Sequence, residues 1–177
     1  MNDLFDKADE IFIAKACLEP KQKARRQFGV GDLYRILTDP KAELDPQLTQ
    51  DLFAVPHLRE SFRALRRRLA VHDVPAMAAA SDGGLNSRIF EGGRLRLVPA
   101  RSGGFTYAIF ELETQQGSLT LMLAHPDGTI VRRSLPQADD LGEVMLVLDP
   151  ANSEDEELLR LLSDPLCEGG LFESSAD

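Results

Sequence analysis

The sequence predicts an α+β protein, with an N-terminal small helical bundle followed by a compact antiparallel β-sandwich or barrel and a C-terminal helix. Three observations carry this. Apolar residues recur at helical spacing up to about residue 70 and at strand-like spacing beyond it. Glycine pairs and turn dipeptides then punctuate the chain at intervals of about ten residues, which is hairpin spacing. The charge divides at the same place: residues 1–75 carry 13 Lys and Arg against 12 Asp and Glu, and residues 76–177 carry 7 against 17. One half stands at +1 and the other at −10, within a net charge of −9. The stretch VPAMAAASDGGLNS is the joint between them. It sets a helical domain at 1–73, a linker at 74–87, a sandwich-like β-domain with its terminal helix at 88–167, and a disordered tail at 168–177.

The helical half begins with Asn2 or Asp3 as a cap, after which Leu4, Ala8, Ile11, Phe12 and Lys15 recur at helical spacing and Asp6, Lys7, Asp9 and Glu10 face water. Glu19-Pro20 interrupts that helix. The basic stretch from Lys21 to Arg26 leads to Phe28 and the turn Gly29-Val30-Gly31, and Asp32 then caps a short helix ending at Asp39-Pro40. Asp45-Pro46 is a cap with proline at the first helical position. The clearest helix runs from Pro56 to Ala70, because Leu58, Phe62, Leu65 and Leu69 fall within about 60° at 100° per residue. Arg59, Arg63 and Arg66 lie together beside that stripe.

In the second half Gly92-Gly93, Ser102-Gly103-Gly104 and Gln116-Gly117 separate SRIF, RLRLV, FTYAIFELE and SLTLMLAH. His125-Pro126-Asp127-Gly128 suits a tight turn into TIVRRSL, and a further strand spans Glu143 to Leu148. Both alternating sets are apolar over Ala108 to Phe110, as expected of a central strand covered on both faces. Ser153 and Glu156 read as a capping box for a last helix with Leu158, Leu159, Leu161 and Leu162 on its apolar side, stopped by Asp164-Pro165.

Composition excludes several function classes. No apolar run approaches the length of a membrane span, and the acidic start is the wrong charge for a secretory leader, so the expected location is cytoplasmic. Cys17 and Cys167 have no Cys or His at metal-ligand spacing, which leaves two reduced thiols and no metal. His57, His72 and His125 lack any nucleophile-activating pattern. The glycine pairs match no phosphate-binding loop, and Asp139, Asp140, Glu143 and Asp149 lack the alternation of a calcium loop. An acidic chain without base-reading Asn or Gln on its arginine helix argues against nucleic acid as a partner. No catalytic residue and no cofactor emerge. What remains is protein binding, through Leu58, Arg59, Phe62, Arg63, Leu65 and Arg66, with guanidinium groups suited to an acidic partner helix. Ala78, Ser81, Asp82 and Gly83 mark the joint as a place of cleavage or release.

The segment LDPQLTQDLFAVPHLRESFRALRRRL, residues 44–69, resembles the end of an anti-sigma-factor helical domain. It departs from the zinc-binding type, because His57 is followed by Ser61 and Ala64 where cysteines would stand, so zinc is not implied. The later run RLRLVPAR, FTYAIFELE, GEVMLVLD and LLRLLSDP is similar to the C-terminal β-domains of small bacterial regulators that accompany sigma factors or caspase-like proteases. These resemblances imply a non-enzymatic regulator of transcription that sequesters a sigma-like factor with its helical half. The alternatives are an adaptor or cleavage target of a caspase-like protease system, or a helix-turn-helix nucleic-acid-binding protein. A further expectation is that the acidic half covers the arginines of the helical half.

Overall fold

The computed structural model describes residues 26–77, 85–114 and 117–173. Within them the chain forms helices α1 (Val30–Thr38), α2 (Pro46–Ala54) and α3 (Pro56–Leu69), then strands β1 (His72–Val74), β2 (Ser87–Phe90), β3 (Gly93–Pro99), β4 (Thr106–Leu112), β5 (Leu119–Ala124), β6 (Ile130–Ser134) and β7 (Glu143–Leu148), and finally helix α4 (Ser153–Ser163) and strand β8 (Glu168–Glu173). The strands make two antiparallel sheets of four, ordered β1-β8-β5-β6 and β2-β3-β4-β7. The fold is α+β. The helix expected over residues 2–15 lies outside the described residues.

Local signals set most boundaries. Asp45 caps α2 by accepting the Gln47 N–H at 2.9 Å, with proline next in line. Two caps differ from expectation. Asp32 sits in the third position of α1, where its carboxylate accepts the N–H of the capping Gly29 at 3.0 Å. Asn152, one residue before Ser153, caps α4 by accepting the Glu154 N–H at 2.9 Å. The hairpin turns fall where the glycines predict: Gly128 at φ 95° closes the β5–β6 turn, and Gly92 at φ 79° the β2–β3 turn.

Two helix ends are held by arginines from strands. Arg132 on β6 donates to the carbonyls of Ala42 at 2.8 Å, Asp39 at 3.3 Å and Ile36. Arg88 on β2 donates to Leu162 at 2.9 Å, Cys167 at 2.8 Å, Leu161 at 3.3 Å and Asp164. Each guanidinium satisfies carbonyls that a helix C-terminus leaves open, and places a cation at the negative end of the dipole. Burial lowers the pKa of both arginines from the ordinary value, opposed by Cys167 and Asp164 at Arg88 and by Asp39 at Arg132.

Two clusters of buried side chains share one sheet. The first joins both sheets and α4, through Leu95, Phe110, Val144, Leu121, Leu123, Leu171, Leu158 and Leu161 among others. The second joins α1, α2 and α3 to Met122, Ala124 and Phe172. Alternate residues of β5 therefore enter different clusters, and all six are buried. The strands covered on both faces are thus β5 and its neighbour β8, whose Leu171 and Phe172 enter different clusters. On β4 only Ala108, Phe110 and Leu112 are buried, so the expectation for FTYAIFELE is corrected.

The division into domains also needs correction. Residues 72–74, at the end of the expected helical domain and start of the linker, form β1 and pair with β8, His72 opposite Leu171. Residues 168–173, expected in a disordered tail, form β8 between β1 and β5. The glycines that suggested fraying serve close packing instead. A Cβ on Gly169 would collide with the Met122 carbonyl and come within 2.8 Å of Leu123 Cδ2. Gly169→Ala is expected to lose about 1–3 kcal/mol in a denaturant melt. Both flanks of the joint are anchored to the turn after α4: the Met77 N–H donates to Pro165 O at 2.8 Å and the Leu85 N–H to Ser163 O at 2.7 Å. Ala78, Ser81, Asp82 and Gly83 lie outside the described residues.

Candidate interaction surface

The helix singled out by sequence is turned inward. Leu58 and Phe62 belong to the second cluster and Leu65 packs against it. Arg66 is 3% exposed, with Nε 2.6 Å from Asp73 Oδ1 and Nη1 2.9 Å from Glu168 Oε2, the latter an ionic contact off the hydrogen-bond line. Arg63 Nε donates to both oxygens of Glu168, at 3.0 and 2.9 Å. Four of the six expected contact residues are thus core or internally paired, and Leu65 is partly buried. The reason is Glu168, which β8 brings beneath α3. The acidic half does cover two of the arginines. Arg59 is half-buried and makes no ion pair among the described residues.

The open apolar surface is on the β2-β3-β4-β7 sheet. Its inward residues fill the first cluster, so by the strand period the alternate residues face solvent. Register aligns them in rows. Val98, Tyr107 and Val147 stand side by side, then Arg96, Ile109 and Met145, then Ile89, Arg94, Glu111 and Glu143. Ile89 is 75% exposed, Met145 54% and Val147 52%. A sheet face normally carries polar residues on its solvent side, and a contiguous apolar group there marks a contact surface.

The third row is charged. Arg94 Nη2 and Arg96 Nε lie 2.6 and 2.5 Å from Glu111, and the hydrogen bond from Arg94, with Arg96 beside it, holds the Glu111 carboxyl below its ordinary pKa. Beyond them Gly93, Arg94, Glu111, Leu112, Glu113, Leu141 and Glu143 line a cavity of about 340 Å³. Leu141 is 84% exposed at its mouth. Glu113 and Glu143 make no ion pair among the described residues, so the cavity has carboxylates to offer a cation. Asp139, grouped by sequence with Glu143, instead accepts the N–H groups of Leu141 and Glu143, both at 2.9 Å, and shapes the loop.

No family model, curated protein or solved structure matches the chain. Geometry alone therefore bears on function. Among the described residues no group of three or more His, Cys, Asp or Glu is placed to hold a metal ion, and no helix is long and apolar enough to cross a membrane. His125 is a structural link, its Nδ1 2.9 Å from Asp127 and its Nε2 3.3 Å from Asp164. Cys167 is fully buried, and burial above all pushes its thiol up to about 12. With Cys17→Ser leaving Cys167 as the one thiol, iodoacetamide at pH 8 is expected to label it only as fast as the protein opens. The native state holds the thiol protonated, so this group's contribution to stability is complete below about 9 and is lost as pH rises toward about 12. A melt series across that range checks the sign.

The outward apolar row went unassigned in the sequence because its signal, two apolar sets in FTYAIFEL, equally describes a strand covered on both sides.

Proposed function

We propose that this chain is a non-enzymatic, cytoplasmic protein-binding regulator that docks its partner on the bare face of the β2-β3-β4-β7 sheet. On this reading the two sheets form a sandwich, the helices are a small bundle against one outer face, and the opposite outer face is kept for the partner. The observation that carries it is the pair of outward apolar rows, Val98, Tyr107 and Val147 in one and Ile109 and Met145 in the next, with Val98, Met145 and Val147 exposed, beside a carboxylate-lined cavity. The fitting partner segment presents apolar side chains along the rows and a Lys or Arg that reaches Glu113 and Glu143. A sigma-like transcription factor or a protease remains the partner class that the sequence resemblance implies. Sequestration by the helical half, in the anti-sigma manner, requires α3 to leave Glu168 and the core first.

The test is a comparison of variants in capture from native cells. Met145→Lys with Val147→Lys changes only exposed positions, and is expected to weaken retention of the partner at least about tenfold while the melting temperature stays close to that of the parent. Arg59→Glu is expected to leave retention unchanged. Retention lost with Arg59→Glu and kept with the lysine pair would move the interface back to α3.

A further inference from the structure

Each sheet has two outer strands, and three of these four edges are blunted. β1 has three residues, β2 has four with Arg88 turned inward, and β6 carries Arg132 and Arg133. β7 differs. It runs for six residues as EVMLVL, with no Pro, Gly, Lys or Arg. The ladder fixes which of its backbone groups are open. The Leu112 N–H donates to Gly142 O, so the even-numbered residues 144, 146 and 148 are the ones that bond to β4. Glu143 points the other way: its carbonyl accepts the Asp139 N–H at 2.9 Å, and its own N–H donates to Asp139 Oδ1 at 2.9 Å. Met145 and Val147 share that orientation, and their N–H and C=O groups have no partner among the described residues.

Charge selects what this edge accepts. From Ser134 to Leu159, the stretch that holds β7 and both its flanks carries eight Asp and Glu and no Lys or Arg. Arg133 pairs with Glu154 and Asp155, while Arg94 and Arg96 pair with Glu111 from β3, which is separated from β7 by β4. Asp140 and Glu143 make no ion pair among the described residues. A second copy laid along β7 would set this acidic stretch against itself. We infer that β7 accepts an extended basic segment of the partner protein as a fifth, antiparallel strand of its sheet, reading apolar-x-apolar-x-Lys or Arg. In that direction the two apolar positions fall beside Val147 and Met145 and the cation beside Glu143. The inference rests on the reading of this sheet as the docking surface and adds main-chain hydrogen bonds to it.

The probe is the capped synthetic peptide Ser-Val-Thr-Ile-Thr-Lys, added at millimolar concentration to the full chain. Without it, the amides of Met145 and Val147 are expected to exchange at close to the open-chain rate and those of Val144 and Leu146 far more slowly; with it, exchange at 145 and 147 should slow at least about tenfold. N-methylation of the peptide's Val and Ile, which removes the donors facing β7, should abolish that protection, and Glu in place of its Lys should weaken it. Val147→Pro deletes an N–H that serves no bond to β4, so it should leave the fold intact and abolish protection at 145, whereas Val147→Ala should retain it. Absence of protection by the peptide overturns the inference, and so does equal binding of the methylated form. Slow exchange at 145 and 147 before any peptide is added also overturns it: the edge is then covered by a second copy if the protection fades on dilution, and by this chain if it does not. The docking face fails separately, when the lysine pair at 145 and 147 leaves partner retention unchanged.

Discussion

Glu168→Gln is expected to destabilise the protein by about 3–5 kcal/mol, read as the loss in urea unfolding free energy at neutral pH. Glu168 and Arg66 are each 3% exposed, and the carboxylate answers both Arg66 and Arg63. Neutralising it leaves a buried guanidinium with only Asp73, at 2.6 Å, as counter-ion. The same arithmetic predicts that Arg66→Met combined with Glu168→Met recovers much of the loss, because a buried pair replaced by apolar groups of similar volume is often neutral. Equal losses in the single and double variants would show that the pair contributes nothing specific. The triple change of Arg59, Arg63 and Arg66 to Glu, natural to suggest from the helical wheel, is expected to unfold the helical side and so reports nothing about a partner.

Arg88→Met is expected to cost roughly 3–5 kcal/mol. Four carbonyls at the end of α4 and the following turn take their hydrogen bonds from this one side chain. Methionine fills most of the volume but donates nothing. Arg88→Lys should recover only part of the loss, since a single ammonium cannot span the acceptors that the planar fork reaches. Because Met77 and Leu85 are hydrogen-bonded to Pro165 and Ser163 in the same corner, faster amide exchange at 77 and 85 should accompany the change. Unaltered exchange there would separate the joint from the α4 corner.

Much of the second sheet was legible, because β2, β3, β4 and β7 alternate in burial and their turns carry glycine. The ends of the first sheet were not. β1 has three residues, and β8 reads EGGLFE, a sequence of low strand preference that becomes a strand because β1 and β5 flank it. Arg63 and Arg66 were correctly grouped on one flank of α3, yet a charged side chain is read as solvent-facing by default, and nothing local announces a carboxylate some hundred residues later. The bare apolar face was visible as a period-two pattern whose meaning depends on what covers it, and that belongs to topology rather than to the strand.

The position of β8 between β1 and β5 has a consequence for biosynthesis. His72 must wait for Leu171, and Arg66 for Glu168, across roughly a hundred residues of chain. While the ribosome is still making the intervening strands, β5 has an open edge and the arginines of α3 have no acid beneath them. The helical side and the β2-β3-β4-β7 sheet can begin to form, but the sheet that joins them closes only after residue 173 has left the exit tunnel. A stalled or truncated product stopping before Glu168 would therefore present an unpaired strand edge and a buried cation site without its anion, the features that chaperones and proteases act upon.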